Sequence, residues 1–249
     1  DIRPKRSQTP LFSEVTGMEI AGESLDAAHW VRNFGDRALF SGAIDALIAE
    51  VHRVFLDVGQ HPITKYSIES NLRRADRPGV VLSSMVRREE DERRTLLESL
   101  ATLHALGARV RWAELYPPDD RAQTQRLSPG AEDARASLLV LSAKTPAALH
   151  ALADAYRDHL RASEARLEDI AYTASLRRAH HEHRLAVVGD TREQVAAALE
   201  GHLRGEAPAG LATGRVRALA PRVAFVFAGQ GSEWAGMGRQ LIREEAVFE

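Results

Sequence analysis

Five consecutive apolar residues, Val223-Ala224-Phe225-Val226-Phe227, run directly into Ala228-Gly229-Gln230-Gly231-Ser232. An apolar run of that length bounded by turn residues reads as a buried strand, and the paired glycines read as a tight turn. Trp234 to Phe248 is expected to form the following helix. A strand, a turn and a helix N-terminus in succession present backbone N–H groups and the positive end of a helix dipole above the strand. Such a cradle suits an oxyanion or a phosphate, and it commits this part of the chain to α/β architecture. A dinucleotide fingerprint is disfavoured, because Trp234 stands where the third glycine belongs. By spacing alone, a tight turn with no chemistry stays an open reading.

The remainder alternates between the two periodicities. Leu39 to Val51 places apolar residues at helical spacing, and Val54 to Val58 is a strand-length run stopped by Gly59. Pro62 to Arg74 is expected to be helical and Val80 to Ser84 a strand. Asp91 to Leu106 reads as an amphipathic helix with Leu96, Leu97, Leu100 and Leu103 on its apolar face, closed by Gly107. Pro117 to Arg135 has the composition of a linker, and the domain boundary is placed there. Leu138 to Leu141 and Arg184 to Val188 read as strands. Thr145-Pro146 opens a helix through Leu160, Leu167 to Leu176 forms a second, and the capping-box spacing of Thr191 and Gln194 opens a third, to about Leu203. These two strands and three helices predict a small α+β unit. Gly205 to Arg217 is expected to be loose, and the α/β unit begun at Val223 is expected to be unfinished within this sequence.

Composition removes several classes of function. With 249 residues, 44% apolar and 27% charged, the chain is globular in character. A formal charge of −2 offers no field to recruit nucleic acid or anionic lipid, so neither is an expected partner. No cysteine occurs, which excludes disulfides, thiolate metal sites and cysteine nucleophiles. No apolar run reaches membrane-spanning length, and a cytoplasmic location is expected.

Other clusters have plainer readings. His180-His181-Glu182-His183 is a poor metal site, because adjacent histidines before a strand point to opposite faces. Arg87 to Arg94 alternates in charge as a solvated helix start does. Trp30, Phe34 and Phe40 are expected in a core, and His61 beside Pro62 invites a general-base reading.

The segment Phe225 to Gly238 closely resembles the opening FVFPGQGSQWAGMG of polyketide and fatty acid synthase acyltransferases, with Ala228 in place of proline and Glu233 in place of glutamine. Residues 10–17, 28–34 and 54–62 resemble late segments of the same domain, including its YWVRNL and FLEVGPHP patterns, with Gln60 in place of proline. Val80 to Tyr116 resembles the close of that domain and the linker behind it. Leu138 to about Arg215 resembles the linker that joins ketosynthase to acyltransferase.

The fold class implied is α/β, with incomplete acyltransferase parts of an α/β-hydrolase-like core flanking a small α+β linker domain. Residues 1–116 would be the acyltransferase C-terminal part and post-acyltransferase linker, and 117–136 a flexible linker. Residues 137–217 would be the ketosynthase-acyltransferase linker domain, and 218–249 the acyltransferase N-terminal part. That order is unusual, since the late part comes first.

The resemblance implies a synthase that moves a malonyl-type extender from coenzyme A to the phosphopantetheine arm of an acyl carrier protein, beside a ketosynthase and in a homodimeric parent. Acyl-CoA would be the substrate, with no covalently bound cofactor and no metal. The backbone N–H of Gln230 would serve the oxyanion hole, with Gly229 and Gly231 shaping the substrate site. The family's GHSxG serine and partner histidine have no counterpart here. Ser232 cannot replace that serine, because Gln230 and Trp234 stand where the elbow needs glycines. The chain by itself is therefore expected to be inactive, the alternative being a non-catalytic linker or docking module.

Overall fold

The computed structural model describes residues 3–59, 61–85, 91–116, 135–229, 233–245 and 248. They form two units: Asp1–Met85 with Arg222–Trp234, and Val86–Pro221 with Ala235–Glu249. Much of the expected linker, residues 117–134, lies outside the described residues, as do 86–90.

In the first unit, strands β3 (Val54–Val58), β4 (Val80–Ser83) and β8 (Val223–Phe227) form a parallel sheet in the order β4-β3-β8. Val54 pairs with Val223 and Val58 with Phe227, so the early strand and the late one run side by side in register. Helices α2 (Phe40–Ala49) and α3 (Lys65–Arg74) supply Ile44, Leu47, Ile48, Ile68 and Leu72 to the core. Phe55, Val81, Ala224 and Val226 meet them from the sheet. α3 starts three residues later than expected, after Thr64.

The alternation of side chains along a strand puts Phe225 and Phe227 on the opposite face of β8, where they are 62% and 74% exposed. A short antiparallel hairpin, β1 (Leu11–Ser13) with β2 (Met18–Ile20), and helix α1 (Ala27–Gly35) complete the unit. Asp26 caps α1 by accepting from the His29 N–H at 2.8 Å. Phe40 packs on the core as expected, but Trp30 and Phe34 do not. They lie on the outer side of α1, 47% and 86% exposed.

The second unit is built on an antiparallel sheet in the order β5-β6-β7, from Ser137–Ala143, His183–Gly189 and Leu211–Arg215. β7 lies within the stretch expected to be loose. Its sequence, Leu-Ala-Thr-Gly-Arg, carries no apolar run, and pairing with β6 rather than local propensity holds it.

One face of this sheet is covered by α6 (Pro146–Ala162), α7 (Leu167–Leu176) and α8 (Arg192–Leu203), which bring Leu149, Ala153, Leu160, Ile170, Val195 and Leu199 onto Leu139, Leu185 and Val187. Thr145 and Thr191 cap α6 and α8, and the Gln194 carboxamide accepts from the Asp190 N–H at 3.0 Å. The other face is covered by α4 (Glu92–Ala105) and α5 (Trp112–Leu115). α4 turns Arg93, Leu97, Ala101, His104 and Ala105 inward rather than the expected leucine stripe, and of the four leucines only Leu97 is buried. Its C-terminus is a Schellman motif: Gly107, at φ 99°, donates to His104 O, and Ala108 N donates to Leu103 O at 2.9 Å.

The helix expected over residues 234–248 is shortened to α9 (Arg239–Glu244), since Gly236 and Gly238 take φ of 99° and 71° just before it. Glu92, itself buried, accepts from Gly238 N at 2.7 Å and from the Gln240 and Leu241 N–H groups, while Gln240 Oε1 accepts from Glu92 N at 3.0 Å. One carboxylate thereby satisfies three amides at a helix start distant in sequence. Arg93 is buried rather than solvated; it pairs with Glu245 and donates to Ala136 O.

α4 and β7 pass so closely that a Cβ at Gly214 would lie 2.3 Å from Ala105 O. Gly214→Ala is expected to destabilise the unit by about 1–3 kcal/mol, with Gly35→Ala, which meets nothing within 4 Å, as the neutral control. Urea unfolding midpoints check both.

His104, buried against Trp112 and His180 with ring centroids 5.1 Å from each, titrates at about 3, pushed down by burial and then by the Arg184 and His180 charges. A histidine kept neutral in the fold contributes stability above its ordinary value of about 6.5, and that stability is lost as the pH falls from there toward 3. The loss is expected to be on the order of a few kcal/mol. Unfolding at pH 7 and 4.5 should show a smaller difference for His104→Gln than for the unaltered chain.

Candidate functional site

In parallel sheets, ligands gather beyond the carboxyl ends of the strands. The ends of β3 and β8, Val58 and Phe227, are register partners, so Gly59 follows one strand beside the Ala228-Gly229 that follows the other. A Cβ on Gly59 would stand 3.3 Å from Ala228 Cβ, whereas one on Gly229 would meet nothing within 4 Å. Gly59 is thus fixed by close packing, and Gly229 borders open space. Ser84 ties this end together: its Oγ accepts from Gly59 N at 3.1 Å and donates to Gly59 O, and its N–H donates to Asp57 O.

Asp57 is the residue at this end that sequence reasoning passed over. It sits within the apolar run of β3 and is 1% exposed. Its Oδ2 accepts from Thr64 Oγ1 at 2.6 Å and from Thr64 N, which pins the start of α3 to the end of β3. Among the described residues its buried Oδ1 has no hydrogen-bond partner, and neither has the buried His61 Nδ1 two residues beyond Gly59. Burial pushes the Asp57 carboxyl above the usual carboxylate range, against the Thr64 hydrogen bonds and the His61 charge, which pull it down. The signal was legible in principle: a carboxylate inside a five-residue strand run has to be either satisfied or functional.

Of the residues assigned from sequence, Gly229 is exposed just past β8. Gln230, Gly231, Ser232 and Gln60 lie outside the described residues. The histidine cluster diverges: His180 stacks on Trp112, His181 N donates to Ser142 Oγ, and Glu182 pairs with Arg215 at 3.2 Å. Among the described residues no group of three or more His, Asp or Glu could hold a metal ion. Ser13 and His29 approach to 3.5 Å, yet both are buried and the serine hydroxyl already accepts from Val15 N. That pair ties the hairpin to α1 and has no elbow or oxyanion donors to make it a nucleophile. No described helix is long and apolar enough to cross a membrane.

Replacing Asp57 by Asn keeps an acceptor for Thr64 and removes the buried charge. An acid whose folded value is raised loses stability as the pH rises from its ordinary range, about 3.9, through that raised value. Asp57→Asn is therefore expected to be as stable as the unaltered chain near pH 4 and more stable at pH 7, by about 1 kcal/mol. Guanidinium unfolding at the two pH values checks this, and equal stability at both would refute it.

Comparison with known proteins points one way. Residues 137–199 match the family described as CurL-like, PKS C-terminal. Erythronolide synthase EryA2 of Saccharopolyspora erythraea is 41% identical over 119 residues, which are 47% of this chain and 3% of that protein. The spectinabilin polyketide synthase system protein NorA of Streptomyces orinoci is 31% identical over 134 residues, which are 52% of this chain and 7% of that protein. The chain thus spans only a few per cent of the length of these relatives. Among solved structures, the acyltransferase domain from module 8 of the salinomycin polyketide synthase is 34% identical with a TM-score of 0.40, covering 45% of this chain and 27% of that one. A ketosynthase from module 6 of the bacillaene synthase of Bacillus subtilis 168 is 31% identical with a TM-score of 0.32, covering 35% and 15%.

Proposed function

We propose that this chain, a region related to the acyltransferases of modular polyketide synthases, takes part in moving a malonyl-type extender from coenzyme A to the phosphopantetheine of an acyl carrier protein. The observation that carries the reading is the parallel pairing of β3 with β8, which brings Gly59 and Ala228-Gly229 to one sheet end. From there the Gln230 backbone N–H would meet the thioester oxygen as it gains negative charge, with Gly229 and Gly231 leaving room for the substrate. A serine attacking the thioester carbonyl, with a histidine taking its proton, would form the acyl-enzyme as the C–S bond breaks and coenzyme A leaves with that proton as its thiol; the phosphopantetheine thiol, deprotonated by the same histidine, would then take the acyl group and the serine would regain its proton. Both the serine and the histidine would come from a companion stretch of chain carrying a GHSxG elbow. In the parent synthase, which would be a cytoplasmic homodimer, residues 1–116 and 218–249 would be the acyltransferase parts. Residues 117–136 would be a flexible linker, and 137–217 would face the adjacent ketosynthase.

A second reading, a non-catalytic linker or docking module, is favoured by the construction of the second unit. α4, early in the sequence, covers the β5-β6-β7 sheet, and its Glu92 caps α9, late in the sequence. Segments assigned to different domains thus share one core.

Incubating the chain with isotopically labelled malonyl-CoA and reading the intact mass separates the two. The chain alone is expected to stay unmodified. With a companion carrying the GHSxG segment, the transferase reading expects a malonyl adduct on the companion that depends on this chain. An adduct on this chain alone would overturn the missing-nucleophile argument, and no adduct in the mixture would leave the structural reading.

A further inference from the structure

The second unit carries an open groove of about 1000 Å³ along the end of its sheet. Its lining carries three guanidinium groups, Arg184, Arg215 and Arg217, and the imidazoles of His180 and His181, against a single carboxylate, Glu182. Glu182 is already committed to Arg215, at 3.2 Å. Arg184 is held by neutral groups, its Nε donating to His181 O at 3.0 Å and its Nη1 to His104 O at 2.9 Å, with His104 Nδ1 3.4 Å from the same Nη1. Among the described residues no carboxylate pairs with Arg184 or with Arg217.

A partly buried guanidinium bonded to neutral carbonyls keeps an uncompensated charge in a region of reduced dielectric, and a dianion seated beside it gains more than it would in water. Burial accordingly pulls the Arg184 guanidinium down from its ordinary value. Leu106 and Val216 add apolar wall to the same groove, and the face of His180 is stacked against Trp112 at 16°.

We propose that this groove binds a phosphate monoester on an apolar stem, with the phosphate between Arg184 and Arg217 and the stem along Leu106 and Val216. Two guanidinium forks suit the tetrahedral dianion, each able to give two parallel N–H···O bonds. A carboxylate would neutralise only one of them. Neither the sheet-end site nor the transfer chemistry is required for this binding.

The test uses the whole chain at fixed ionic strength in chloride, with inorganic phosphate and butyl phosphate as probes and isothermal titration calorimetry as the readout. Inorganic phosphate is expected to saturate with a dissociation constant in the millimolar range, and butyl phosphate to bind about tenfold tighter through burial of its stem. Arg217→Gln, at an exposed side chain outside every hydrogen bond of the fold described here, should keep the unfolding midpoint and weaken both probes about tenfold. Absence of saturation at roughly ten times that millimolar range, butyl phosphate no tighter than phosphate, or a well-folded Arg217→Gln chain with unchanged affinity would each overturn the proposal.

Discussion

Everything in the first unit depends on one pairing, β3 against β8. Parallel strands cannot be joined by a tight turn, so such a pair has to be closed through intervening chain. Here that intervening chain contains most of the other unit. The benefit is a shared core, in which Phe55 from the early strand and Ala224 and Val226 from the late one close over α2 and α3. The same register sets Gly59 against Ala228. The sheet end is therefore a product of long-range pairing, and no local stretch of sequence contains it.

The second unit solves the opposite problem, a sheet with two faces to cover and too little of its own chain to cover both. α6, α7 and α8 come from the stretch between the strands and protect one face. α4 and α5 are recruited from earlier in the sequence to protect the other. The recruitment is polar as well as apolar. Glu92 and Arg93, adjacent on α4, are both buried, and they engage the backbone of α9 and the carboxylate of Glu245 respectively. Buried charges of this kind are tolerated only when their hydrogen bonds are met within the fold.

Local signals were legible where the chemistry is local. The capping threonines 145 and 191, the terminating Gly107 and the apolar runs of β3, β5, β6 and β8 all stand where the sequence places them. What escaped was set by partners distant in sequence. β7 has no pattern of its own and exists through β6. The inward face of α4 is chosen by the sheet it covers, which selects small Ala101 and Ala105 over the more obvious leucines so that β7 can approach. The last helix is cut short because Gly236 and Gly238, on either side of Met237, take positive φ just before it. Asp57 was visible as a residue but not as an orphaned carboxyl, since only the tertiary fold removes water from its Oδ1.

The interleaving of the two units along the chain bears on how the protein is made. A ribosome delivers β3 and β4 first, yet β8, which pairs with β3, follows only after the whole β5-β6-β7 sheet has been synthesised. Until then one edge of β3 stands open and Phe55 lacks part of its cover, which is when nascent chains are most exposed to wrong partners.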